Sequence, residues 1–197
     1  MTHIIFLAAG SAVRFGSNKL MATLNGRPVC LHTLARLQEL TANRRDCDMT
    51  VVTRYPAILA MARDVGARVV DSPLSEQGLS YTIRAGLEAL EPLDPADYLL
   101  FVVADQPWLS LETLEQMLDA AQEGCLAATA SWQGVPGSPT LFSARLLPEL
   151  KALQGDEGGR KVLQAHPGEY RVIEVRDGQE LRDVDVPQDL AGDEPAL

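Results

Sequence analysis

An apolar run near the N-terminus ends in Leu7-Ala8-Ala9-Gly10, and the chain continues as Ser11-Ala12-Val13-Arg14-Phe15-Gly16-Ser17-Asn18-Lys19. Small residues at these positions let the backbone approach a ligand closely, while Arg14 and Lys19 can neutralise a phosphate chain. Carboxylates come from two other places. Asp105 follows the apolar run Tyr98–Ala104, and Asp183-Val184-Asp185 lies near the C-terminus. In an extended segment, alternation puts Asp183 and Asp185 on one face, where both could point at one cation. Magnesium takes one or two carboxylates together with phosphate oxygens and water, a need that Asp105 and Asp185 could meet. The plain alternatives are a strand-to-helix loop without a ligand, a turn or cap role for Asp105, and solvated edge charges for the C-terminal pair.

Such residues must be positioned by something. Buried-strand patterns recur at His3–Ala8, Met49–Thr53, Ala67–Asp71 and Tyr98–Ala104, separated by helical patterns at Val29–Leu40, Ile58–Asp64, Ser80–Leu90 and Leu111–Glu123, the last with Ser110 as its N-cap. That alternation predicts an α/β fold: a Rossmann-like, three-layer arrangement in which a mostly parallel sheet carries helices on both faces. Its first loop and Asp105 would share the carboxyl edge of the sheet, where open α/β sheets bind ligands. After Gly124 come Cys125–Trp132, a Gly/Pro-rich stretch Gly134–Pro139 read as turn, apolar Thr140–Phe142, helical pieces at Arg145–Leu153 and Lys161–Ala165, and a strand at Tyr170–Val175. These elaborate the same sheet, so residues 1–191 are expected to form a single domain, with 192–197 as a flexible tail.

Several classes are excluded. The net charge of −10 would repel nucleic acid and acidic membranes, yet residues 1–38 hold no Asp or Glu and carry a formal +4. No run is long enough to span a membrane and no basic signal-peptide start is present, so a cytoplasmic protein is expected. Cys30, Cys47 and Cys125 are too few and too scattered for a disulfide framework or CxxC metal site and are read as buried free thiols. His3, His32 and His166 form neither a metal cluster nor a triad, and Trp108 and Trp132 are read as packing residues. A Walker loop would need Lys directly after its second Gly, but Gly16 is followed by Ser17-Asn18-Lys19; the dinucleotide GxGxxG spacing is also missing, and Thr53-Arg54 offers no acid for an NAD ribose.

The pattern Leu-Ala-Ala-Gly-x-Ser-x-Arg-x-Gly-x-x-Lys resembles the signature of the MobA-like nucleotidyltransferases, and in particular the molybdenum cofactor cytidylyltransferases. Leu7–Gly10, Arg14, Gly16 and Lys19 match it, while Ala12 stands in place of the family Ser. Ala104-Asp105-Gln106-Pro107 resembles the family's Asp-x-Pro motif. Asp183-Val184-Asp185-Val186-Pro187-Gln188-Asp189-Leu190 is similar to its Asp-x-Asp-Thr-Pro-x-Asp-Leu motif, with Val186 for Thr. Gly78-Leu79-Ser80 is similar to the family loop beside base and ribose. Gly137-Ser138-Pro139 and Gly155–Arg160 resemble its acceptor-side motifs, departing at Ser138 and Gly159.

The resemblance implies an Mg2+-dependent enzyme that transfers CMP from CTP to the terminal phosphate of a molybdopterin-type cofactor. Arg14, Lys19 and Asp105 would be catalytic, and Asp105 and Asp185 would bind metal. Leu7, Ala8, Ala9, Gly10, Arg14, Lys19, Gly78, Ser80 and Asp105 would bind nucleotide. It also implies a molybdenum hydroxylase, or its chaperone, as a partner. The same residues leave open a cytidylyltransferase for a sugar or alditol phosphate and a non-catalytic chaperone that only holds the cofactor.

Overall fold

The computed structural model describes residues 1–10, 15 and 18–190. Ser11, Ala12, Arg14, Gly16 and the expected tail at 192–197 lie outside the described residues. In chain order the elements are β1 (Thr2–Leu7), β2 (Thr23–Leu24), β3 (Arg27–Pro28), α1 (Val29–Asn43), β4 (Cys47–Thr53), α2 (Pro56–Asp64), β5 (Arg68–Asp71) and α3 (Leu79–Glu88). They continue with β6 (Tyr98–Val103), α4 (Leu111–Asp119), β7 (Ala127–Trp132), β8 (Val135–Ser143), α5 (Leu147–Ala152), α6 (Gly159–Ala165) and β9 (Tyr170–Glu174).

One sheet has the order β5-β4-β1-β6-β8-β7-β9. β5, β4, β1 and β6 run parallel, β8 is antiparallel to both neighbours, and β9 is parallel to β7. Period-two alternation divides the strand residues between two cores. Ile4, Phe6, Leu100 and Val102 face α1, α2 and α4 through Leu34, Leu37, Ile58, Leu114 and Met117. Ile5, Leu7, Leu99 and Phe101 face α3, α5 and α6 through Ile83, Leu87, Leu150, Val162 and Leu163. Both faces are therefore covered, and the fold is the three-layer α/β arrangement with a mostly parallel sheet that was expected. Ser110 caps α4 by accepting the Thr113 amide.

The Gly/Pro-rich stretch departs from expectation. Val135–Pro139 is not a turn but the first half of β8, which pairs with β7 across an irregularity between Thr129 and Ser131. β6 pairs only with Thr140–Ser143, so Pro136 and Pro139 lie where the strand's other edge carries no ladder that proline would interrupt. No helix among the described residues is long and apolar enough to cross a membrane. All three cysteines are free and buried.

Strand order positions the site. From β1 the chain moves toward β4 and β5; from β6 it moves the opposite way, toward β8 and β7. The two departing loops leave a crevice at the carboxyl ends of β1 and β6, the place where α/β sheets hold ligands.

Candidate active site

A cleft of about 370 Å³ opens at that crevice, lined from β1 by Leu7, Ala9 and Gly10, from β6 by Val103, Ala104 and Asp105, and elsewhere by Lys19, Gly78 and Thr82. The amide of Ala104 donates to the Leu7 carbonyl at 3.1 Å, so the two strand ends open together. The last residue of β4 and the two that follow it brace the first loop. Thr53 Oγ1 donates to the Ala8 carbonyl at 2.6 Å, Arg54 Nε to the Ala9 carbonyl at 3.3 Å and Tyr55 Oη to the Gly10 carbonyl at 2.9 Å. Arg54 is also ion-paired with Glu76, which lines the cleft.

Lys19 begins a short 3-10 turn, Lys19–Met21, whose N-cap Asn18 accepts the Leu20 amide at 3.1 Å. Its stem is buried with Leu20. The Nζ atom reaches two carboxylates, Asp105 Oδ2 at 2.7 Å and Asp185 Oδ1 at 3.0 Å. Burial opposes the charge of Lys19, but the two carboxylates outweigh it and hold the ammonium above the usual lysine range. The cleft's other charged lining residues, Glu76 and Asp156, are acidic, which gives a phosphate chain little to bind unless cations are added.

Two elements hold Asp105 in place. Thr33 Oγ1 and Arg36 Nη1 of α1 donate to the carbonyls of Gln106 at 2.7 Å and Pro107 at 2.6 Å. The C-terminal segment returns alongside: the Val184 amide donates to the Asp105 carbonyl at 2.9 Å, and Gln106 Nε2 donates to Asp183 Oδ1 at 2.9 Å and the Leu181 carbonyl at 3.0 Å. Val184 is buried with Leu24 and Val29, beside Phe15 and Trp108, which fastens this segment to the β2–β3 hairpin that follows Lys19. Glu180 anchors it upstream by accepting from the Ser110 amide at 3.0 Å and Thr113 Oγ1 at 2.7 Å.

The expected residues therefore separate. Asp185 meets Lys19, whereas Asp183 is engaged by Gln106. Asp183 lies at the surface in a crowded acidic corner, where lost hydration and the like charge of Asp105 push its carboxyl up to about 6. Leu7, Ala9, Gly10, Lys19, Gly78 and Asp105 line the cleft. Ala8 is fully buried behind them, and Arg14 lies outside the described residues. Ser80 is also fully buried and absent from the cleft lining; its amide donates to the Gly155 carbonyl at 3.0 Å. Two residues later on α3, Thr82 lines the cleft, and its buried hydroxyl donates to Oγ of Ser75, another lining residue, at 2.8 Å. Thr33, Arg36, Arg54, Tyr55 and Gln106 support the site through side-chain bonds to distant parts of the chain, which local motifs do not encode. His3, His32 and His166 bond Asp48, the Leu24 carbonyl and Glu149, all away from the cleft.

Asp189 shapes the segment that carries Asp185. Its carboxylate accepts the amides of Asp185 at 2.8 Å and Val186 at 2.9 Å and is paired with Arg182 at 2.7 Å. The Val186 and Asp185 amides, with Arg182, hold Asp189 down to about 2. A depressed carboxyl stabilises the fold above its unfolded pKa of about 3.9, and that stability is lost as pH falls through the folded value. We expect the acid loss of wild-type stability to be steeper between about pH 4 and pH 2 than that of Asp189→Asn, which cannot ionise there. Melting temperatures of both proteins across that range check it; parallel curves would remove Asp189 from this role.

The sequence profile of the MobA-like NTP transferase domain matches residues 4–170. The chain belongs to the MobA-like NTP transferase family. Among its relatives is the purine catabolism protein PucB of Bacillus subtilis (strain 168), 30% identical, with 94% of this chain and 92% of that protein covered. The bifunctional protein GlmU of Burkholderia ambifaria is 32% identical over 125 residues, covering 62% of this chain and 26% of that protein. In solved structures the fold is shared with Rv0371c of Mycobacterium tuberculosis H37Rv, at a TM-score of 0.74 and 22% identity, covering 96% of this chain and 94% of that one. A further structure of Rv0371c is a complex with manganese, with a TM-score of 0.66, 21% identity, and 88% and 87% of the two chains covered. The chain thus carries a MobA-like domain on a nucleotidyltransferase fold, with its Lys19, Asp105 and Asp185 gathered at the switch point of the sheet.

Proposed function

We propose that this chain is an Mg2+-dependent cytidylyltransferase that moves CMP from CTP to the terminal phosphate of a molybdopterin-type acceptor, releasing pyrophosphate. The observation that carries the reading is the convergence of Asp105 and Asp185 on one cation position, within 3.0 Å of a single ammonium, beside a cleft formed by the first loop. Two carboxylates with room for phosphate oxygens are the donor set magnesium favours, and the manganese complex of Rv0371c is in keeping with a divalent ion. Bound there, the ion would supply Lewis-acid neutralisation of charge at the α-phosphate and the leaving pyrophosphate.

The chain's own residues do the rest. Ala9 and Gly10 let the triphosphate lie close to the loop backbone, with Thr53, Arg54 and Tyr55 holding that backbone rigid. Lys19 and Arg14 supply positive charge to the triphosphate, and positioning of the in-line attack accounts for most of the rate. The acceptor phosphate is ionised near neutrality, with a second pKa of about 6, so its attack needs no general base. Delivery of the product to a molybdenum hydroxylase or its chaperone in the cytoplasm belongs to the same reading.

The test is a panel of four nucleoside triphosphates with purified molybdopterin or with sugar and alditol phosphates, with and without Mg2+, read as pyrophosphate release. Turnover confined to a sugar or alditol phosphate would replace the acceptor; acceptor binding without pyrophosphate under every condition would leave a cofactor-holding protein. Base choice gives a second handle. Ala9 lines the cleft with its methyl group, and one methyl is worth about 1 to 3 kcal/mol of discrimination. We expect the wild type to prefer CTP over GTP, and Ala9→Gly to keep a smaller preference, by kcat/KM for both nucleotides. A wild type that prefers GTP would overturn the cytidylyl assignment.

A further inference from the structure

The two cations required of this site compete for one place. Lys19 Nζ lies 2.7 Å from Asp105 Oδ2 and 3.0 Å from Asp185 Oδ1, and therefore fills the position between the carboxylates that a divalent ion would need. An ammonium and a dication cannot share it, because like charges at that spacing repel strongly in a partly buried site. The backbone of Lys19 has little freedom to retreat: Asn18 caps the turn, the Ala22 amide closes it on the Lys19 carbonyl, and Leu20 is buried. Only the flexible end of the side chain can swing, and Lys19 lines the cleft together with Gly10, where a triphosphate would offer its oxygens.

We infer that Lys19 is the resident counter-cation of the Asp105–Asp185 pair and that a divalent ion gains the pair only when a nucleoside triphosphate draws the ammonium into the cleft. The inference rests on the metal reading of the two carboxylates given above. It makes Lys19 a gate for metal as well as a phosphate ligand, and it imposes an order: metal arrives with the nucleotide or after it. Without nucleotide the carboxylates do not stand as an open negative pair, which keeps stray cations from the site and keeps Asp105 and Asp185 from repelling one another.

Mn2+ binding, followed by loss of the free-ion electron paramagnetic resonance signal, tests this without turnover. Wild type, Lys19→Met and Lys19→Gln are titrated alone and with a non-hydrolysable CTP analogue, the second variant guarding against a packing defect in the first. Without nucleotide, both variants are expected to bind Mn2+ at least about tenfold more tightly than wild type, and adding Asp105→Asn to either should erase the gain. Equal nucleotide-free affinity in wild type and both variants, or a gain that survives Asp105→Asn, overturns the gate while leaving the metal site standing. Failure of wild type to bind Mn2+ even with the nucleotide analogue overturns the metal reading itself, and the gate with it.

Discussion

Asp105→Asn is expected to lower turnover by at least about a thousandfold with little change in stability. The substitution keeps size and shape and removes one negative charge. The features that hold the segment in place are untouched: the Asp105 carbonyl still accepts the Val184 amide, and Thr33 and Arg36 still hold the carbonyls of Gln106 and Pro107. The ion pair that is lost joins side chains only 10% and 23% exposed, but the Lys19 ammonium keeps Asp185 as a partner and is not left as an unpaired buried charge. What disappears is half of the charge that would fix a divalent ion. Magnesium titration of pyrophosphate release, alongside thermal melts, measures both sides. Wild-type turnover and metal dependence in the variant would show that Asp105 does not hold the ion.

The second large effect is on stability. Gly78 sits at φ +130°, ψ 170°, backbone that is essentially reserved for glycine, and an added Cβ would lie 2.3 Å from both the carbonyl carbon and the oxygen of Gly155. Neither backbone can yield easily, because the Ser80 amide donates to that same Gly155 carbonyl and α3 starts at Leu79. Gly78→Ala should therefore lose about 3 to 5 kcal/mol of unfolding free energy, the sum of backbone strain and overpacking. Gly66→Ala is the control: φ is also positive there, at +75°, but the added methyl meets nothing within 4 Å, so only about 1 kcal/mol should be lost. Urea denaturation of the pair decides it. Equal small losses would mean that the Gly78–Gly155 contact is not tight in solution.

Much of this arrangement could be read in the sequence, and the reasons are local. Buried parallel strands announce themselves as apolar runs, which is why β1, β4, β5 and β6 were visible within a residue or two. A carboxylate just past such a run must lie at the sheet's carboxyl edge, which located Asp105. Other features depend on partners the sequence does not display. Pro136 and Pro139 read as turn residues because nothing in their neighbourhood tells that β6 stops short of them. That Thr82 rather than Ser80 lines the cleft depends on how the start of α3 packs against Gly155, far away in the chain. The braces from Thr53, Arg54 and Tyr55 are likewise contacts made 45 residues away in sequence, and they carry no motif.

The separation of Lys19 from Asp185 also bears on how the protein is born. The two are 166 residues apart, yet they are joined directly. At synthesis rates of about 5 to 20 residues per second, the loop carrying Lys19 leaves the ribosome roughly 8 to 30 seconds before Asp185 does. Asp105 emerges about half-way through that interval, and until its end the segment that carries Asp185 is missing from its place beside Asp105. On the function proposed above, phosphate chemistry that needs both carboxylates waits for the segment around Val184 and Asp185 to dock, so a translation product stalled before it would not spend nucleotide.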